Sequence, residues 1–360
     1  MADSVRGVNI PPVDRADLRA RVEKALAEFL ARQRARLTAM EPAMVPVATA
    51  IEDFVLPAGK RLRPAFAYWG YRGAGGADSD ELVATVAALE FVQAAALIHD
   101  DVMDGSDTRR GRPAVHRRFA GLHATSGWHG DPDGFGEAVA ILLGDLALVW
   151  SDELLHSAGL DADTVARARP VFDEMRTEVM AGQYLDVLGQ ATGNVSAGWA
   201  GIVARYKSAK YTVERPLLFG AALAGAGAEL IAAYSGYGLP LGEAFQLRDD
   251  ILGVYGDPAR TGKPAGDDLR EGKRTYLVAT ALAGADPAER AALEQGLGSP
   301  AADVAELRGI IEATGALADS ERRIQELTGQ ALAAIATVEL TAEAREVLTG
   351  LAGAATQRSY

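Results

Sequence analysis

The chain has 360 residues, no cysteine, a formal charge of −13 and 49% hydrophobic residues. Without thiols there are no disulfides, no cysteine nucleophile and no Cys-ligated zinc, and the acidic balance argues against a nucleic-acid partner. The apolar content is enough for a sizeable buried core.

Residues 1–14 contain Pro11-Pro12 and lack the apolar centre of a secretory signal. They predict a flexible N-terminal tail on a cytoplasmic protein, with 15–360 as a single all-α domain. No uninterrupted apolar run reaches the length of a bilayer span. Beyond the tail, apolar residues recur at three- and four-residue spacing and good helix formers dominate. The pattern predicts helices near 16–40, 136–158, 161–190, 196–224 and 227–255, then several shorter ones from 266 onward. Asp78-Ser79-Asp80-Glu81 offers an N-cap for another helix running towards Asp104. Residues 120–136 read as a Gly-rich loop of unusual length for a helical bundle.

The helix towards Asp104 is apolar from Val83 to Ile98 and ends in Asp100-Asp101-Val102-Met103-Asp104. Asp100 and Asp104 share a helix face, where like charges destabilise a bare helix. A solvated acidic end is one reading. Divalent cations held by carboxylate oxygens are the other. Asp249-Asp250 repeats the arrangement after the apolar stretch Ala232 to Leu247. Two such ends suggest a metal-filled cleft between bundle helices.

Basic residues gather beside these acids in an otherwise acidic chain. Gly59-Lys60-Arg61-Leu62-Arg63-Pro64 puts Lys60 and Arg63 one turn apart, and Arg109-Arg110-Gly111-Arg112-Pro113 follows the first acids. Lys207, Lys210, Lys263 and Lys273 complete the set. At about 4 Å and an effective dielectric near 20, a carboxylate facing a phosphate costs roughly 4 kcal/mol. Aspartates therefore hold a diphosphate only through divalent ions, whereas arginine and lysine grip its oxygens directly. The P-loop-like run Gly256 to Lys263 has the wrong spacing and Pro264 where Ser or Thr is needed. His123 and His129 read as incidental members of the mobile 120–136 loop, and His99 as a packing neighbour of Asp100.

These motifs resemble the trans-isoprenyl diphosphate synthases, or polyprenyl synthetases, from about Gly59 to Lys273. DDxxD is Asp100 to Asp104, GKRxRP is Gly59 to Pro64, and RRGxP is Arg109 to Pro113. Gly182-Gln183 with Asp186 matches a GQxxD helix, Tyr206-Lys207-Ser208-Ala209 keeps a lysine–hydroxyl pair, and Phe245-Gln246 precedes the second acids. Within that family the chain resembles bacterial geranylgeranyl diphosphate synthases. The resemblance implies an all-α bundle around an apolar cavity, a homodimer, and about three Mg²⁺ ions. Asp100 and Asp104 would bind two of them and Asp249 the third, with Asp101 and Asp250 in support. Lys60, Arg63, Gln93 and Arg110 would hold isopentenyl diphosphate. Arg109, Lys207 and Lys263 would grip the allylic diphosphate, with Ser208 and Gln246 nearby. The second motif departs from the family in ending on Gly253 where an acid is expected.

The implied chemistry is metal-assisted ionisation of an allylic diphosphate, attack by the double bond of isopentenyl diphosphate, and proton loss. Ala95 and Ala96 stand one to two turns before Asp100, where bulky residues in the family stop growth. Small side chains there favour geranylgeranyl diphosphate over farnesyl diphosphate, with longer polyprenyl products as the alternative. A class I terpene cyclase and a non-catalytic subunit are the rival readings; neither needs both acidic motifs together with the second set of cations.

Overall fold

The computed structural model describes residues 12–57, 59–193, 196–257, 266–299 and 301–357. The helical spacing governs the architecture. The N-terminal half comprises α1 (Leu18–Met40), α2 (Val45–Val55), α3 (Leu62–Gly73), α4 (Asp80–Met103), α5 (Val115–Ser126) and α6 (Pro132–Ser157). It continues through α7 (Ala162–Thr192), α8 (Ala197–Val203), a π-helix (Ala204–Glu214), α9 (Arg215–Leu223) and α10 (Ala228–Tyr255). Among the described residues, six further helices follow between Asp267 and Thr356.

Helix α4 is the axis of the main core. Ser79 caps it by accepting from the Leu82 N–H at 3.1 Å, as its sequence position predicts. Phe91 on α4, Phe29 on α1 and Trp150 on α6 form a buried aromatic triad, with centroids 5.2 to 6.1 Å apart. By length and composition α4 could cross a membrane, although Glu90 and Gln93 interrupt its apolar run; 72% of its most apolar window is buried inside the fold. A second apolar cluster joins the last turns of α10 (Leu247, Ile251, Val254) to Leu269, Leu277 and Ile324. Helix α10 thus belongs to both cores, because Tyr237 and Leu241 near its middle pack into the first.

Two expectations need correction. Residues 120–136 are not one loop. Helix α5 runs to Ser126 and stops at Gly127, whose φ of 63° is the left-handed cap that glycine favours. Asp131 then caps α6 by accepting from Gly134 N–H at 2.9 Å, with Pro132 in the first turn. A glycine that reads as a loop former in sequence serves helix contact instead: a Cβ on Gly136 would lie 2.1 Å from the His116 carbonyl oxygen. His123 is accordingly buried, its ring against Trp128 and Phe135 and its Nε2 3.1 Å from the His129 carbonyl.

The second difference lies in 196–224, where spacing predicts one helix. The middle of that stretch widens into the π-helix between α7 and α10. Glycines permit the approach from both sides. A Cβ on Gly182 would come 2.4 Å from Lys207 N, and one on Gly242 would come 2.5 Å from the Ala209 backbone. Glu178 of α7 anchors the widened segment, pairing with Lys210 at 2.5 Å and with Arg215 at 2.6 Å.

Candidate active site

Many of the acids and bases singled out in the sequence border two contiguous cavities. The larger, of ≈ 870 Å³, is bordered by Asp100 and Asp104 from α4, Asp186 from α7, and Asp249 and Asp250 from α10. Asp267, Asp268 and Lys273, which follow α10, close its far side. The smaller, of ≈ 360 Å³, is bordered by Lys60, Arg63, Gln93, Arg110 and Tyr211. Lys60, Asp100, Lys207, Ser208, Gln246 and Asp249 border both.

Asp100 ends α4, where the helix dipole is unfavourable for an anion. Cations and a donor compensate. Lys207 Nζ sits 3.0 Å from Asp100 Oδ1 and 2.6 Å from Asp186 Oδ2, and Gln183 Nε2 donates to Asp100 at 2.9 Å. Burial pushes the Asp100 carboxyl up, but Lys207, Arg109 and Gln183 outweigh it and hold it below its usual range. Asp104 has less relief. Burial and the Asp100 charge raise it to about 6, against smaller opposition from Lys207 and Lys273. On α10 burial raises Asp250 to about 7, with Asp268 and Asp249 adding to the effect and a 2.7 Å hydrogen bond from Gln246 Nε2 opposing it. Asp250 and Asp249 stand within α10, not at its end, since the helix runs on to Tyr255.

Asp101 points elsewhere. It is fully buried and takes Arg109 in a two-pronged ion pair, with Arg109 Nη2 2.5 Å from Asp101 Oδ1 and 3.6 Å from Asp100. Neither Asp101 nor Arg109 borders the two cavities. The pair ties the α4 terminus to a small hairpin, Thr108–Arg109 against Arg112–Pro113. The hairpin turn, Arg110-Gly111, has both φ values positive (54° and 72°), the twist-matched geometry for a two-residue turn. It delivers Arg110 to the smaller cavity.

That cavity is cationic by construction. Arg63 lies over the Tyr211 ring, 4.1 Å from its centroid, and donates to Thr212 Oγ1 at 2.8 Å. Tyr211 in turn donates to Gln93 Oε1 at 2.7 Å. Burial, with Arg109, Arg61 and Arg63 nearby, lowers the pKa of Arg110, and Glu90 opposes. Arg61, buried and held at φ 50°, spends its guanidinium on Glu90 at 2.5 Å and on the carbonyls of Val55 and Leu56. Its neighbours Lys60 and Arg63 remain at the cavity.

Ala96 borders the smaller cavity, whereas Ala95 is 1% exposed inside the main core. Successive helical residues point about 100° apart, which accounts for the divergence. Lys263 lies outside the described residues. Sequence reasoning missed Tyr211, Thr212 and the Arg61–Glu90 pair, and gave no role to Asp267 and Asp268. The last two follow α10 by too many residues for helical spacing to place them.

Hard carboxylate oxygens from two helices suit Mg²⁺. Among the described residues no three acidic or histidine side chains converge as a ready-made ion site. Such carboxylates fit a metal whose remaining ligands are phosphate oxygens and water.

Residues 45–314 match the model of the polyprenyl synthetase family. A geranylgeranyl diphosphate synthase of Mycobacterium tuberculosis is 36% identical over 77% of this chain and 75% of its own length. A geranylfarnesyl diphosphate synthase of Aeropyrum pernix is 33% identical over 81% of this chain and 87% of its own. The crystal structure of a geranylgeranyl pyrophosphate synthase from Corynebacterium glutamicum, complexed with isoprenyl diphosphate and magnesium, superposes with a TM-score of 0.92 at 42% identity, covering 98% of this chain and 100% of that one. An acid-lined cavity joined to a cationic one, on this helical frame and with these relatives, has one family behind it: the chain belongs to the polyprenyl synthetases.

Proposed function

We propose that the protein is a trans-isoprenyl diphosphate synthase that condenses isopentenyl diphosphate with allylic diphosphates, yielding geranylgeranyl diphosphate. The observation that carries this reading is the junction of the two cavities, which share Lys60, Asp100, Lys207, Ser208, Gln246 and Asp249. One substrate diphosphate would lie among the aspartates and the other among the arginines. A cyclase has no use for the second, cationic cavity.

Asp100, Asp104 and Asp249 would hold about three Mg²⁺ ions, with Asp250 in support. The ions, when bound, neutralise the negative charge that grows on the departing diphosphate. Lys207 and Lys273 add fixed positive charge on that side, and Lys263 is assigned to the same group. Arg109 acts by holding the buried Asp101, which fixes the end of α4. Lys60, Arg63 and Arg110 bind isopentenyl diphosphate directly, with Gln93 and Tyr211 fixing the Arg63 side. The allylic C–O bond breaks, the isopentenyl double bond attacks the resulting cation, and loss of a proton restores the allylic double bond. The released diphosphate accepts that proton. Apolar walls of α4 exclude water that would trap the cation.

Ala96 leaves room beside the smaller cavity, which supports a twenty-carbon product. Leu142 and Val149, seven residues apart on α6, are 64% and 61% exposed and support pairing with a second copy through that helix. The reading is of a cytoplasmic enzyme whose long apolar α4 serves as a core helix. The test is labelled isopentenyl diphosphate with Mg²⁺ and dimethylallyl, geranyl or farnesyl diphosphate, followed by chromatography of the dephosphorylated products. Twenty-carbon prenol is expected from each starter. No consumption of label by the purified chain with any starter would overturn the reading.

A further inference from the structure

Arg61 stands between Lys60 and Arg63 but does not share their task. Its side chain is 1% exposed, and Nη1 lies 2.5 Å from Glu90 Oε2 within α4. Nη2 donates at 2.9 and 3.0 Å to the carbonyls of Val55 and Leu56, which the end of α2 leaves without helical partners. The Arg61 backbone opens α3, its carbonyl accepting from Ala65 N–H at 3.0 Å. One residue thus joins three helices. Two costs come with it: a charge withdrawn from water, and a left-handed φ of 50° on a residue that carries a Cβ. A buried ion pair is poor evidence of stability, because apolar side chains of similar volume hold a core as well or better. The reason for the pair lies in what the junction carries. Lys60 precedes it, Arg63 follows two residues later, and both border the smaller cavity, as does Glu90. The same turn runs beside Arg110, since a Cβ on Gly59 would come 3.8 Å from Arg110 Nη2.

We propose that Arg61 is a positioning residue of the cationic cavity: through Glu90 and the α2 carbonyls it fixes the turn from which Lys60 and Arg63 reach isopentenyl diphosphate, without touching that ligand itself. The left-handed backbone supports this role, because such conformations persist only where the surroundings hold them, and they gather at ligand clamps. Glu90 carries a cost of its own, as a carboxylate bordering a cavity that is to receive a diphosphate. The fold retains it as the anchor for Arg61. The proposal rests on the reading of the smaller cavity as the isopentenyl diphosphate site.

Steady-state kinetics with Mg²⁺, varying each substrate in turn, separates this role from two simpler ones. The decisive variant combines Arg61→Met with Glu90→Leu, which keeps the net charge and leaves no buried ion unpaired. KM for isopentenyl diphosphate should rise about tenfold or more, while kcat and KM for the allylic diphosphate stay within about threefold. A pair that matters only as charge, or only for stability, leaves both KM values of the double variant unaltered, and that result would overturn the proposal. Glu90→Leu alone supplies the sign. Loss of a repelling carboxylate lowers KM for isopentenyl diphosphate, whereas loss of the anchor raises it, so a lowered value contradicts the proposal. Should the double variant fail to fold by circular dichroism, Arg61→Lys carries the test. Its ammonium can face Glu90 but cannot span Glu90 and both carbonyls, so the same KM should rise about threefold or more, and an unaltered KM would again overturn the proposal. Lys60→Met tells the two levels apart. If it raises KM for isopentenyl diphosphate and the Arg61 variants do not, only this proposal falls; if it too leaves that KM unaltered, the reading of the cavity falls as well.

Discussion

On the proposed function, the two cavities would recognise the same chemical group by opposite means. The larger one is lined with carboxylates that a diphosphate would repel, and burial drives two of them, Asp104 and Asp250, up to about 6 and about 7. The smaller is bordered by Lys60, Arg63 and Arg110, and burial, with Arg109, Arg61 and Arg63 nearby, lowers the pKa of Arg110. One is a site short of cations and the other a site short of anions. The difference would sort the substrates: the leaving diphosphate would go where metal can neutralise developing charge, and the diphosphate that stays intact would go where side chains suffice.

The sharpest way to break this contrast is in the acidic cavity. Asp100→Asn removes a proposed metal ligand and the partner of Lys207, and turnover should fall by at least about 10²-fold with the fold intact by circular dichroism. Turnover within a few-fold of the unaltered chain would contradict the assignment. In the cationic cavity, Arg63→Met should raise KM for isopentenyl diphosphate by about tenfold or more, the worth of one charge-assisted hydrogen bond, while KM for the allylic partner stays nearly constant. Equal changes in both constants would show that the cavities do not divide the substrates.

A third effect concerns pH. Asp250 rises from 3.8 to about 7 in the folded, metal-free chain. Between those values the folded state holds a proton that the unfolded state has lost, so this contribution to stability is full at the acid end and disappears as pH rises through about 7. Asp250→Asn lacks it. The Tm of the variant should therefore gain on that of the unaltered protein from about pH 5 to about pH 8; a constant difference would refute the shift. The smallest effects separate adjacent residues of α4. Ala96→Phe intrudes on the cavity and should shorten the products. Ala95→Phe overpacks the core and should cost about 1–3 kcal/mol of stability, read by urea unfolding.

Much of the contrast between the cavities is legible in the amino-acid sequence. Helical spacing places α4, α7 and α10 to within a few residues, and charge chemistry calls for metals beside Asp100 and Asp249 and for direct grips at Lys60 and Arg63. What escapes depends on contacts between segments far apart in the chain. The π-helix widens because Gly182 and Gly242 let two other backbones approach it, and nothing in 204–214 itself announces that. Asp101 is adjacent to Asp100 and reads as its support in sequence, yet it is buried on Arg109 while Asp100 faces a cavity. Glycines between 120 and 136 imitate a loop because helix packing and chain reversal both call for a missing side chain.

The division of labour between the cavities has one direct test. Calorimetric titration with isopentenyl diphosphate and with a non-hydrolysable allylic thiolodiphosphate, each with Mg²⁺ and then with EDTA, measures which ligand needs metal. Binding of isopentenyl diphosphate should survive chelation, and binding of the allylic analogue should be lost. Equal loss of both, or equal survival of both, would contradict the account.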